Sequence, residues 1–130
     1  MNKCGEIEIL ASICNPETLS DGRGAIFSWI PDQDIKEYTL LFFNKDKIRG
    51  NHYHPEFIEY FLVIDGVISL TTTDPLTGKN ISTIGGAGFC FKTPKLIPHM
   101  VRAITEAKCL SLITKPWDTC DNPIIYQDMQ

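Results

Sequence analysis

The stretch Ile48-Arg49-Gly50-Asn51-His52-Tyr53-His54-Pro55-Glu56-Phe57-Ile58-Glu59-Tyr60-Phe61-Leu62-Val63-Ile64-Asp65-Gly66 decides how the rest of the chain is read. His52 and His54 are two apart, so on a strand both imidazoles project from one face. Pro55 interrupts the ladder, and Glu59 opens the next β-rich run, Glu59 to Ile64. A short turn between them folds that run back and sets the Glu59 carboxylate beside the imidazoles. His99 follows Thr93-Pro94 and Pro98 and starts another apolar run. Three imidazoles and a carboxylate form a ligand set for a divalent transition metal, here Zn, Ni, Mn or Fe. The chain has three histidines, and all of them fall in this pattern.

The spacing resembles that of the cupin superfamily. Its first motif reads His-x-His, three or four residues, Glu, six residues, Gly; this chain has His52, His54, Glu59 and Gly66. Its second motif runs from a Gly through a Pro to a His, matched by Gly88, Pro94 and His99. Leu96 and Asp46 stand where the motifs favour Gly, and Ala103 where Asn is frequent, but all four ligand positions are intact. The resemblance implies a cupin-type jelly-roll barrel with the metal held by His52, His54, Glu59 and His99.

The remaining chain supports an all-β fold independently. Tyr38 to Phe43 is a near-continuous apolar run, which predicts a strand covered on both faces. Glu6 to Ile13 and Ala25 to Ile30 are further β-prone runs, the second stopped by Pro31-Asp32. Gly66 predicts a hairpin between Phe57–Asp65 and Val67–Thr73, and Asp74 to Lys79 a hairpin loop between Thr-rich strands. Gly85-Gly86-Ala87-Gly88 lacks the strand-to-helix setting and the Lys-Ser/Thr of a phosphate loop and reads as a turn. Phe89 to Phe91, Met100 to Ile104 and Cys109 to Ile113 complete the strands, and 116–130 reads as an irregular tail. No 3.6-residue periodicity persists beyond two turns. Short β runs punctuated by Gly, Pro and Asp indicate one all-β barrel or double-sheet jelly roll over residues 1–130.

Composition narrows the function. A net charge of −4 gives no sign of nucleic-acid or anionic-membrane binding. Cys4, Cys14, Cys90, Cys109 and Cys120 are odd in number and scattered, which predicts reduced thiols and a cytoplasmic protein. The polar start, Met1 to Glu6, does not read as a signal peptide, and no apolar run approaches the ~20 residues a membrane helix needs.

Beside the ligands, Arg49-Gly50-x-His52-Tyr53 resembles a signature of cupin epimerases and ketoisomerases acting on nucleotide-linked 4-keto-6-deoxy sugars. Those families also carry an Asp-x-Arg-Gly turn, here Asp21-Gly22-Arg23-Gly24. A zinc-binding cupin half fused to reductases of capsular-polysaccharide synthesis is similar from Arg49 to Gly66 and from Thr93 to His99. The resemblance implies an isomerase or epimerase of a nucleotide sugar, made for surface polysaccharide. Arg23, Arg49 and Arg102 are candidates for the diphosphate, since guanidinium forks suit its oxygens. His52 is the candidate base and Tyr53 a candidate acid, although alternation points Tyr53 away from His52. His52 cannot be at once a free base and a metal ligand. Three other readings use the same residues: a metal-dependent sugar-phosphate isomerase, an iron dioxygenase, and a non-catalytic cupin that binds a small molecule. Apolar faces at Tyr38–Phe43 and Phe61–Ile64 exceed what one small core needs, which predicts a homodimer.

Overall fold

The computed structural model describes residues 2–13 and 22–129. Eleven strands form two antiparallel sheets. The first sheet has six strands in the order β1 (Asn2–Cys4), β2 (Ile7–Leu10), β8 (Cys90–Thr93), β5 (Glu59–Asp65), β10 (Ala107–Ile113) and β3 (Glu37–Phe43). The second has five, in the order β11 (Ile125–Tyr126), β4 (Ile48–Tyr53), β9 (His99–Ala103), β6 (Ile68–Thr73) and β7 (Asn80–Gly85). Among the described residues, no helix is long and apolar enough to cross a membrane.

Alternation builds the core between the sheets. Phe61 and Val63 of β5, Phe91 of β8 and Cys109 of β10 face Ile68 and Leu70 of β6 and Val101 and Ala103 of β9. All of these are buried, and the Phe61 and Phe91 rings stack at 4.9 Å between centroids. Continuing the same inward rows, Glu59, Thr93, Ser111 and His99 bring polar groups to one end of the barrel. The core thus ends in the site.

Four expectations are corrected. Gly66 does not make a hairpin, because β5 pairs with β8 and β10 whereas β6 pairs with β7 and β9. The chain crosses between sheets there, with Gly66 at φ 91° and so close to Glu106 that a Cβ would meet its carbonyl oxygen. β3 is covered on one face only: Tyr38, Leu40 and Phe42 are exposed because β3 is an edge strand over whose outer side none of the described residues is layered. Ala25 to Ile30 makes no strand; the segment is tied down by Ser28, whose carbonyl accepts Ile13 N–H at 2.7 Å. The tail is not irregular throughout, for it carries a 3-10 turn, Trp117–Thr119, and strand β11, which pairs with β4.

The Asp74–Lys79 loop does join a hairpin, closed by Asp74 N–H to Lys79 O at 2.7 Å. The glycine run turns as expected after Gly85, which closes β7, with Phe89 N–H donating to Gly86 O. Cys90 and Cys109 are buried, and no disulfide occurs among the described residues; Cys14 and Asp21 lie outside them.

Candidate metal centre and substrate cleft

A bulge in β4 sets the site. Arg49 pairs with Val101 and Gly50 with Met100, but His52 pairs with His99, so Asn51 is an extra residue. Gly50 and Asn51 both take positive φ, 99° and 60°. A Cβ on Gly50 would stand 2.7 Å from His99 O, so only glycine fits this approach. The extra residue shifts the alternation by one, and His52 and His54 face the barrel interior on the same side as Arg49.

His54 and His99 are held by backbone carbonyls. His54 Nδ1–H donates to Pro123 O and His99 Nδ1–H to Ile97 O, each at 3.0 Å. A carbonyl only accepts, so both rings carry their proton on Nδ1 and turn a bare Nε2 inward. The two Nε2 atoms stand 3.6 and 3.4 Å from Glu59 Oε1. The other carboxylate oxygen, Oε2, accepts the Ser111 hydroxyl at 2.6 Å. Burial pushes the Glu59 carboxyl up; when no ion is bound and the two rings also carry a proton on Nε2, they pair with Oε1 and hold the carboxyl well below the usual range. Burial first, then neighbouring His99 and His54, bring His52 down to about 4, so its imidazole is neutral at pH 7.

These residues fit a divalent ion. The nearest ligand nitrogens of His52, His54 and His99 lie within 4.8 Å of one another. Ligand atoms in a tetrahedron around zinc stand about 3.3–3.5 Å apart, close to the two Glu59 separations. His54 Nε2 is buried and has no hydrogen-bond partner, and the same is true of Thr93 Oγ1, which lies opposite Glu59 in the β5–β8 ladder. A lone pair aimed at a carboxylate oxygen is repulsive unless a cation lies between them. Only His54 and His99, among the described residues, come within ion-pair reach of Glu59; His52 is placed beside them, with ring centroids 4.6 Å from His54 and 5.0 Å from His99.

The cluster opens into a cleft of about 580 Å³ between the edges of the two sheets. Glu37, Thr39 and Leu41 of β3 form one wall, Arg49 and His52 of β4 the other, and Trp117 and Tyr126 of the tail stand over it. Arg49 is the one Lys or Arg among its lining residues; its Nη2 donates to Phe42 O at 3.2 Å and its guanidinium lies over the Phe43 ring. The other sequence candidates are elsewhere. Tyr53 does not line the cleft, and Arg102 is on the outward side of β9, 3.3 Å from Asp46. Arg23 is exposed and also outside it. A second, apolar cavity of about 560 Å³ lies against the first sheet, lined by Phe27, Trp29, Leu62 and Leu110, and has none of this chemistry.

Sequence reasoning missed Ser111, Thr93 and the tail. A serine in an apolar strand and a backbone carbonyl at Pro123 have no pattern of their own.

No protein-family model matches the chain, and no curated protein does. Solved structures do. A 3,4-ketoisomerase from Helicobacter canadensis superposes with a TM-score of 0.76 at 20% identity, over 93% of this chain and 90% of that one. A sugar 3,4-ketoisomerase from Thermoanaerobacterium thermosaccharolyticum, solved with TDP, gives 0.72 at 15%, over 92% and 87%. The fold is a cupin barrel. A dTDP-4-dehydrorhamnose 3,5-epimerase from Sulfolobus tokodaii shares this cupin fold at a TM-score of 0.71 and 18% identity, over 88% and 73%. Within this barrel, the histidine cluster occupies the interior and the cleft is its mouth.

Proposed function

We propose that the chain is an isomerase or epimerase of a nucleotide-activated 4-keto-6-deoxy sugar, serving surface-polysaccharide synthesis in the cytoplasm. We further infer that it carries a divalent ion, Zn, Ni, Mn or Fe, and works as a homodimer. The observation that carries the reading is Arg49 and His52 facing one cleft, with the buried His54–His99–Glu59 group beneath them. The fold likeness supports the substrate class, since one of the ketoisomerases is also solved with TDP-4-keto-6-deoxyglucose.

The roles divide by anchoring. His54, His99 and Glu59 hold the ion, because their lone pairs converge and their other polar atoms are already engaged. An ion held there would supply a Lewis acid for a substrate carbonyl, whose neighbouring carbon is the one that loses a proton. His52 is neutral, faces the cleft and has no carbonyl anchor among the described residues, so it takes the proton from that carbon and returns it. Arg49 grips the diphosphate, and Trp117 and Tyr126 limit water over the reacting carbon.

The test is incubation with 4-keto-6-deoxy sugars of thymidine, uridine and guanosine diphosphate in heavy water, read by mass and proton spectra. Deuterium entry at carbon that disappears in His52→Asn is the expected result. Neither exchange nor binding with any of the three would overturn the reading. Two imidazoles and one carboxylate also suit an iron dioxygenase; oxygen uptake by the iron-loaded protein would favour that instead.

A further inference from the structure

We propose that Ser111 is a positioning residue for the ion site: its hydroxyl holds Glu59 so that a single carboxylate oxygen faces His54 and His99. This rests on the ion reading above. Ser111 lies in the inward row of β10, between Cys109 and Ile113, and is the one polar side chain in that row. A buried hydroxyl there is unfavourable unless it is hydrogen-bonded. Its partner is Glu59: Ser111 pairs with Phe61 and Ile113 pairs with Glu59, so Ser111 sits diagonally across the ladder from the carboxylate. The Oγ to Oε2 separation is 2.6 Å, that of a hydroxyl donating to an ionised carboxylate.

The consequence is a division of labour between two oxygens. Oε2 is engaged by Ser111, and Oε1 stands 3.6 Å from His54 Nε2 and 3.4 Å from His99 Nε2. A carboxylate without that anchor can rotate and offer both oxygens to one ion, changing the coordination number and the space left for a substrate oxygen. Groups that orient a metal ligand in this way affect affinity by roughly 10–100-fold. Ser111 also completes an anchored set, because His54 is fixed by Pro123 O and His99 by Ile97 O. His52 stands outside this set.

The experiment is cobalt titration of the full chain, followed by visible absorption, with circular dichroism to verify folding. Ser111→Thr and Ser111→Val have nearly the same shape and differ by the hydroxyl, so any general packing effect is common to both. Ser111→Val and Ser111→Ala are expected to bind cobalt roughly 10–100-fold more weakly and with an altered spectrum, while Ser111→Thr keeps the wild-type spectrum. Equal affinity and identical spectra for Ser111→Val and Ser111→Thr would overturn the proposal. Glu59→Ala and His54→Ala separate this from the underlying reading. If they lose cobalt while Ser111→Val does not, the role of Ser111 alone falls. If they bind cobalt as the wild type does, the ion site falls and the role of Ser111 falls with it.

Discussion

Arg49 and His52 are three residues apart on β4 and yet face the same side of the sheet, because Asn51 is an extra residue in the ladder to β9. Without the bulge they would face opposite sides. Gly50 permits it by lying against the His99 backbone at φ 99°. Gly50→Ala would put a methyl group 2.7 Å from His99 O. We expect Gly50→Ala to destabilise the fold by about 2–4 kcal/mol and to lower metal binding, since the bulge and His99 move together. Chemical denaturation and metal content of the variant test this; a wild-type result in both would show that the bulge does not set the site.

Metal content separates the two roles assigned to the histidines. Protein purified without chelators should contain about one equivalent of a divalent ion by elemental analysis. His54→Ala and Glu59→Ala should lose it, because each removes one of the three anchored donors. His52→Asn should retain most of it and lose solvent exchange at the substrate carbon. Should His52→Asn lose the ion as fully as His54→Ala, His52 is a ligand and the proton acceptor must be sought elsewhere in the cleft.

The metal-free protein should weaken in mild acid. His52 titrates near 4 in the fold, against about 6.5 in the unfolded chain. Between these values the unfolded state binds more protons, so stability falls as pH drops from 6.5 towards 4. Glu59 acts in the same direction, because its folded value is depressed and its stabilisation is lost as pH falls through that value. His52 alone accounts for up to about 3 kcal/mol across the interval. Urea unfolding of chelator-treated protein at pH 7, 5.5 and 4.5 reads the slope, and His52→Asn should flatten it.

Leu96 and Asp46 stand where the cupin motifs favour glycine, and both take positive φ, 71° and 67°. The backbone has kept its left-handed turns although the glycines are absent. Leu96 also donates its N–H to His54 O at 3.0 Å, so its conformation is tied to the backbone of His54. Leu96→Gly removes left-handed strain of about 1–2 kcal/mol but loosens the unfolded chain by about 0.4–1. A net gain near 0.5–1 kcal/mol is expected from thermal or urea unfolding. A loss of stability would mean that the exposed Leu96 side chain makes a contact worth more than the strain.

These positions also mark what could be read in advance. His52, His54, Glu59 and His99 were legible because few residue types bind metals and their spacing survives on strands. The departures at Leu96 and Asp46 were legible as departures, but a sequence does not state φ, so the left-handed turns kept there emerged only from the backbone. The crossover at Gly66 was misread because an interrupted β run looks alike whether the next strand pairs with it or joins the other sheet. Pro123 was hidden for another reason: it contributes a carbonyl, which every residue has. Its placement depends on β11 pairing with β4, and on the Glu56 carboxylate gripping Lys115 Nζ and Asn122 N–H at 2.8 and 2.5 Å.

The outer face of the six-stranded sheet carries the last prediction. Tyr38, Leu40 and Phe42 of β3 are exposed side by side, and Ile64 of β5 lies on the same outer face. An edge strand with an apolar outer face is a surface that natural proteins cover or charge, and this one carries no charge at Tyr38, Leu40 or Phe42. Two copies meeting through these faces would cover both, whereas the cleft lies on the opposite, inward side of β3, where Thr39 and Leu41 point. Pairing should therefore leave the ion site open. Sedimentation at tens of micromolar should give a dimer, and Leu40→Lys with Phe42→Lys should give a folded monomer that still binds the ion. A wild-type monomer at that concentration would remove the homodimer, and a dimer that survives both lysines would move its interface away from β3.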